Sequence, residues 1–269
     1  MNNAVSIGPL LLPYALLLVF TAAGLTLFVG RWVGKRSGVD AEATLWNALL
    51  LGAVVARLAF VLEYKTLYFA SPLSIVDIRD GGWNATAGLA GVWLYALHRY
   101  QKRPELRKAL QRGLLVGTAV FFVGTGWLAL QPGRGQSLPD LQLASLEGPT
   151  VRLADFTGQP TVVNLWATWC PPCVREMPML LAAQQAQPGV HFVFINQGEP
   201  AAQVSRWLQT RQLPLRHVLM DEKRQASAVF KQQGYPTTLF FNANGVMVAS
   251  RLGELSAATL EQNLERARR

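Results

Sequence analysis

Long unbroken apolar runs fill the first half of the chain, and short apolar runs separated by amphipathic stretches fill the second. Residues 7–30 carry no charge over 24 positions, enough for a helix to cross a hydrocarbon core of about 30 Å. Comparable runs at 44–62, 83–98 and 113–130 bring the expectation to about four transmembrane helices in a domain spanning 1–130. No Lys or Arg precedes the first run and it is too long for an h-region, so a cleaved leader is not expected. A linker follows at 131–137, Gln131-Pro132-Gly133-Arg134-Gly135-Gln136-Ser137. From 138 to 269 the periodicity changes. Leu141–Leu143 and Val151–Leu153 flank Gly148-Pro149 as a hairpin, and Thr161–Trp166 reads as a buried strand leading to a helix from about 171. Strands at His191–Asn196 and Arg216–Met220 alternate with helices at 200–211 and 223–233. Leu239–Phe241 and Val246–Ser250 surround the turn Asn242-Ala243-Asn244-Gly245, and a last helix covers 256–268. That alternation predicts an α/β domain with a parallel core closed by an antiparallel hairpin.

Composition agrees with this division. Of 269 residues, 51% are hydrophobic and 15% charged, against about 25% charged in soluble proteins. A disordered chain is excluded, and because the apolar excess lies almost wholly before residue 131 a wholly soluble protein is not expected. The net charge of +9 is a matter of location: residues 1–130 hold 12 Lys/Arg and 6 Asp/Glu, and the remainder 13 and 10. Nine of the early positive charges fall in two loops. Arg31, Lys35 and Arg36 lie in the first, and Arg99, Lys102, Arg103, Arg107, Lys108 and Arg112 in the third. The second loop has only Lys65 and Arg79. The positive-inside rule then places loops one and three in the cytoplasm and both termini outside it. The expected location is a bacterial inner membrane, crossed several times, with the C-terminal domain in the periplasm. The basic balance is a topology signal, and a nucleic-acid partner is not expected.

Inside the membrane half, Arg57 lies within the second span. It reads either as a functional intramembrane cation or as a side chain that snorkels to the interface near Glu63. The Pro72–Trp83 loop, with Asp77, Arg79, Asp80, Gly81 and Gly82, reads as a tight re-entrant turn. Gly113 and Gly117 read as a close helix contact. Arg57, the Asp80-Gly81-Gly82 turn and Gly88-Leu89-Ala90-Gly91 resemble part of the prolipoprotein diacylglyceryl transferase family over about residues 45–95. The resemblance implies shared ancestry and a lipid-facing groove involving Arg57, Arg79 and Asp80, with membrane lipid as a partner. The family's histidine falls on Thr86 and its first glycine on Ala87, and its later spans are absent, so transferase activity is not implied.

The chemistry is expected in the second half. Its only cysteines stand in Trp169-Cys170-Pro171-Pro172-Cys173, at the end of the first central strand. C-x-x-C beside a βαβ pattern reads as a redox dithiol. Pro171 suits the first helical position. Cys170 then faces unpaired backbone N–H groups and the positive end of the helix dipole, which favours the thiolate. Cys173, one turn on and more buried, is placed to resolve a mixed disulfide. The histidines at 98, 191 and 217 have no spacing that would complete a metal site, and no metal or cofactor is expected. Gly234-Tyr235-Pro236-Thr237-Thr238 precedes a strand, and its place in the order of elements points to a cis Tyr235-Pro236 bond facing the dithiol.

Residues 138–269 resemble the TlpA/ResA/DsbE group of membrane-anchored thiol–disulfide oxidoreductases. The resemblance rests on Val163-Asn164-Leu165-Trp166-Ala167-Thr168-Trp169-Cys170-Pro171-Pro172-Cys173, Glu176 with Pro178, and Gly234-Tyr235-Pro236-Thr237. It implies a thioredoxin fold and reducing activity on extracytoplasmic disulfides. Cys170 would be the nucleophile and Cys173 the resolving thiol, with Trp169, Pro171, Pro172, Tyr235 and Pro236 lining the substrate cleft. Asn164 takes the place where cytoplasmic thioredoxins carry a buried acid. Glu176 is thus a candidate proton shuttle, the alternative being a solvated glutamate favouring the helix dipole.

The membrane half has no cysteine and one histidine, His98. It cannot carry electrons by thiol exchange or hold a bis-histidine haem, so the dithiol needs a separate protein, and the resemblance implies a DsbD/CcdA-type membrane donor. The leading expectation is a reductase of exported proteins. The same atoms run backwards would make an oxidase or isomerase, and a membrane adaptor binding lipid or a partner is a third class.

Overall fold

Proline placement decides where the first long helix begins. The computed structural model describes residues 4–7, 10–69, 72–130, 135–232 and 234–269. Ala4–Ile7 (β1) and Leu10–Pro13 (β2) pair antiparallel, and α1 runs from Tyr14 to Arg36 with Pro13 at its N-cap. The run expected from residue 7 therefore becomes a helix displaced toward its basic end. Pro13 has no N–H to give a helix interior but suits a boundary. Gly8 and Pro9 of that run lie outside the described residues. The other helices of this unit are α2 (Glu42–Glu63), the short α3 (Lys65–Phe69), α4 (Ala85–Lys102) and α5 (Arg107–Leu130). Among the described residues three segments are long and apolar enough to cross a membrane: Tyr14–Arg36, Glu42–Glu63 and Pro104–Leu130. The expected third span, 83–98, forms α4, which is 18 residues long and carries Arg99 and Lys102 in its last turn. At about 1.5 Å per residue its uncharged part is shorter than the other three.

Within this unit, Ala4–Ile75 with Gly82–Leu130, α1 packs on α5 and α2 on α4. Small residues set both contacts. A Cβ on Gly113 would lie 2.7 Å from the Thr26 carbonyl, and one on Gly88 the same distance from the Ala56 Cβ. Both backbones approach where a larger side chain would part them. Arg57 does not extend to the surface beside Glu63. It is buried and donates to three carbonyls: Nε to Ile75 (3.0 Å), Nη1 to Gly82 (2.8 Å) and Nη2 to Ser74 (2.9 Å). Its planar fork fits three acceptors that a lysine could not serve together. Arg57→Met is expected to cost about 1–3 kcal/mol, the penalty of orphaned acceptors. Trypsin should then cut faster at Lys65 in the detergent-solubilised chain, and unchanged cleavage would refute this role for Arg57.

The second unit contains residues 135–269 with Val76–Gly81. Its strands are β3 (Gln142–Ser145), β4 (Val151–Arg152), β5 (Thr161–Trp166), β6 (His191–Gln197), β7 (Val218–Asp221), β8 (Thr237–Phe241) and β9 (Met247–Leu252). They form one sheet in the order β9-β8-β5-β6-β7-β3-β4. β5, β6 and β7 are parallel, whereas β8 pairs antiparallel with both β5 and β9. Every residue of β5 is buried, as a strand covered on both faces requires. The helices are α6 (Pro171–Ala186), α7 (Ala201–Thr210), α8 (Gln225–Val229) and α9 (Ala257–Ala267). The helix expected at 223–233 shrinks to α8 because Arg224 and Lys231 take positive φ values of 55° and 53° at its two ends; Gln233 lies outside the described residues. α9 starts on a capping box in which Ser256 and Thr259 satisfy each other's backbone N–H. The parallel core and closing hairpin match the expectation from periodicity.

Candidate active site

β5 ends at Trp166, and the turn Ala167-Thr168-Trp169 carries the chain to α6. Cys170 is the N-cap of that helix, its Sγ accepting from the Cys173 N–H at 3.3 Å, with Pro171 in the first turn. The two cysteines form a disulfide with their Cα atoms 5.3 Å apart. Both are buried, Cys170 at 3% and Cys173 at 0% exposure. The sulfur at the helix start is the one that the dipole and the first-turn N–H groups stabilise as a thiolate.

The Tyr235-Pro236 bond is cis. Among the described residues the Tyr235 N–H and C=O have no backbone partner. The Tyr235 ring meets Trp169 edge-on, centroids 6.0 Å apart at 70°. Trp169 is 58% exposed although it is a large apolar side chain. Pro171 is exposed and Pro172 half-buried. The residues expected around the dithiol thus gather at one end of the parallel strands, where such sheets place their sites.

Glu176 lies on α6, three residues beyond Cys173 and so on the same helix face. It is not a solvated residue: its exposure is 2%. Asn164 Nδ2 donates to its Oε1 (2.8 Å) and the Leu255 N–H to its Oε2 (2.9 Å). Burial pushes its carboxyl up to about 7, against those two hydrogen bonds and the Arg251 charge, which pull it down, while Glu254 adds to the rise. Asn164 also donates to Thr238 Oγ1 (3.0 Å), and its own Oδ1 has no partner among the described residues. An acid on α6 thus meets the Asn164 side chain of β5.

Sequence reasoning missed Glu199. This buried carboxylate accepts from the Thr168 N–H (2.7 Å) and hydroxyl, from Asn196 Nδ2 (2.7 Å) and from Gln203 Nε2 (2.9 Å). It fixes the turn that delivers Trp169 and Cys170. An acidic residue just past the end of a central strand was the available signal. The Arg175–Glu254 ion pair (2.6 Å) was missed as well. In the Val76–Gly81 segment, Arg79 pairs with Asp77 (2.8 Å) at the exposed surface and Asp80 is buried. Thr86 Oγ1 donates to Asn84 (2.7 Å), the N-cap of α4, so it serves local structure where the resembling family has its histidine. Among the described residues no cluster of His, Cys, Asp and Glu is arranged to hold a metal.

Comparison with known proteins places both halves. The Redoxin family profile matches residues 134–267, and the prolipoprotein diacylglyceryl transferase profile matches 2–125, a wider stretch than the 45–95 legible from motifs. The thiol-disulfide oxidoreductase ResA of Geobacillus thermodenitrificans is 32% identical over 133 residues, 49% of this chain and 76% of that protein. The thioredoxin-like protein YneN of Bacillus subtilis is 31% identical over 161 residues, 54% of this chain and 92% of that protein. A solved thiol:disulfide interchange protein of the thioredoxin family from Chlorobium tepidum is 26% identical, covers 50% of this chain and 97% of its own, and has a TM-score of 0.45. Through its C-terminal half the chain belongs to the redoxin family, among the thiol-disulfide oxidoreductases of ResA type.

Proposed function

We propose that the chain is a membrane-anchored reductase of disulfides in exported proteins. The observation that carries this reading is the Cys170–Cys173 pair at the start of α6, with a buried carboxyl titrating near neutrality one turn further along. In the reduced form, the Cys170 thiolate attacks one sulfur of a substrate disulfide. A new S–S bond forms as the old one breaks, and the departing substrate thiolate takes a proton from water. The Cys173 thiol gives its proton to Glu176 and attacks Cys170 Sγ. The mixed S–S bond breaks, the second substrate sulfur leaves as a thiolate that takes a proton from water, and the protein disulfide seen here remains. Two electrons pass from the dithiol to the substrate. Trp169, Pro171, Pro172, Tyr235 and Pro236 line the cleft, with the open Tyr235 backbone pairing with extended substrate.

The membrane-type helices are the anchor. With α4 crossing as a fourth, shorter span, the Lys and Arg counts favour a periplasmic C-terminal domain, and Arg57, Arg79 and Asp80 belong to the lipid-facing groove. Restoring the dithiol takes two electrons from another dithiol, here a DsbD/CcdA-type membrane donor. One experiment addresses both direction and orientation, because the chain has only two cysteines. Intact spheroplasts treated with a membrane-impermeant mass-tagged maleimide, then acid-quenched and alkylated under denaturing conditions with a tag of different mass, are expected to show a mostly reduced pair, Cys170 carrying the first tag and the buried Cys173 the second. A mostly oxidised pair would favour an oxidase, and a reduced pair that is tagged only after lysis would reverse the topology.

A further inference from the structure

Tyr235 is tied to a buried polar chain that the thiol chemistry does not use. Its hydroxyl lies 3.0 Å from Ser227 Oγ on α8, and Ser227 Oγ donates to Gln197 Oε1 at 2.8 Å, at the end of β6. Gln197 Nε2 donates to Asp221 Oδ2 (3.0 Å), at the end of β7. The carboxylate also accepts the N–H groups of Gln225 (2.8 Å) and Ala226 (2.7 Å), holding the start of α8. Gln197, Asp221 and Ser227 are all buried.

Donor counting sets the polarity of the whole chain. Both Asp221 oxygens act as acceptors, so the Gln197 amide must turn its Nε2 toward Asp221 and its Oε1 toward Ser227. The single Ser227 proton goes to Gln197, which leaves the Tyr235 hydroxyl to donate to Ser227. The phenol oxygen is therefore committed inward, and the ring is pinned at its far end. Its near edge packs against Trp169, the residue before Cys170.

We infer that Ser227 and Gln197 are positioning residues of the dithiol site, which hold the Tyr235 ring against Trp169 and so set affinity for the polypeptide flanking a substrate disulfide. The inference rests on the reductase reading above. A fixed ring spares the bound complex the entropy of ordering it, whereas sulfur exchange itself needs no such wall. The effect belongs in KM for a protein substrate, and a small disulfide should not feel it.

The test uses the full chain in detergent, reduced beforehand, with insulin as the protein disulfide and hydroxyethyl disulfide as the small one. Ser227→Ala removes the acceptor of the Tyr235 hydroxyl; Gln197→Met removes the amide that orients Ser227. Each is expected to raise KM for insulin about two- to tenfold, the worth of one neutral hydrogen bond. kcat and the rate with hydroxyethyl disulfide should stay unchanged. The double variant should be no worse than either single one, as coupled residues require. Additive losses, or an equal slowing with the small disulfide, would overturn the positioning role while leaving the reductase intact. Wild-type protein that reduces hydroxyethyl disulfide but not insulin would overturn both.

Discussion

Cys170→Ser is expected to reduce turnover to the level of uncatalysed exchange, whereas Cys173→Ser leaves the first attack intact and accumulates mixed disulfides with client proteins. The asymmetry follows from the two positions. Cys170 is the N-cap of α6, where its sulfur accepts the Cys173 N–H and meets the positive end of the helix. A negative charge there gains about 0.3–1 kcal/mol, up to about 2 when partly buried, and the thiolate is the attacking species. Cys173 sits inside the first turn and is completely buried, so it meets a disulfide only after one is joined to Cys170. Serine is nearly isosteric with cysteine, so melting temperatures of both variants should stay close to wild type, which separates lost chemistry from lost fold. Non-reducing gels of the two variants read the result. Adducts on the Cys170→Ser protein, or none on Cys173→Ser, would reverse the assignment.

How much of this was readable beforehand depends on how local the determining physics is. Thr161–Trp166 could be bounded to the residue because an apolar run ending at a Trp-Cys turn has one economical placement, a buried central strand. The cap role of Cys170 was legible for the same reason, since Pro171 announces a first helical turn. The cis Tyr235-Pro236 bond was legible only from the order of elements around it. Ends of elements were less certain. α1 begins after Pro13 instead of at residue 7, and α8 is cut short by two residues of positive φ that no apolar pattern reveals. Long-range pairings were out of reach. Thr168 with Glu199, Asn164 with Thr238 and Arg175 with Glu254 are separated by 31, 74 and 79 positions, and only the register of the folded sheet brings them together. Glu176 belongs to this group. The sequence left it as either a proton shuttle or a solvated glutamate, and the Leu255 N–H that binds it in the interior lies 79 positions away.

That burial makes Glu176 the source of the second large effect, which appears in pH dependence. Its carboxyl holds a proton up to about pH 7 in the folded chain, against 4.5 ordinarily, so the folded state binds that proton more tightly than the unfolded state does. Below about pH 4.5 both states carry it and there is no penalty. As pH rises from 4.5 toward 7 the unfolded chain releases the proton first, and stability falls. Above 7 the full penalty is present, and the gap corresponds to about 3 kcal/mol. His191 works the other way, since burial and the charge of His217 lower its pKa and it loses stability on acidification. The informative quantity is therefore the difference between wild type and Glu176→Gln. Glutamine fits the site once the Asn164 amide turns over: its oxygen accepts from the Leu255 N–H, and its Nε2 donates to Asn164 Oδ1, which has no partner among the described residues while Nδ2 faces Glu176. Denaturant unfolding of the full chain in detergent should show Glu176→Gln gaining on wild type as pH rises from 5 to 8. The same substitution should slow the step in which Cys173 attacks by about a hundredfold at pH 7, the lower end for a positioned base. In wild type that step should accelerate as pH rises through 7, where the carboxylate becomes available to take the proton. In the variant the inflection should move up toward the pKa of the thiol itself, and mixed disulfides should accumulate as they do with Cys173→Ser. A stability difference that does not change with pH would mean that Glu176 does not titrate in this range. A pH-dependent difference with an unchanged rate profile would leave Glu176 a buried structural acid, and the Cys173 proton would pass through water.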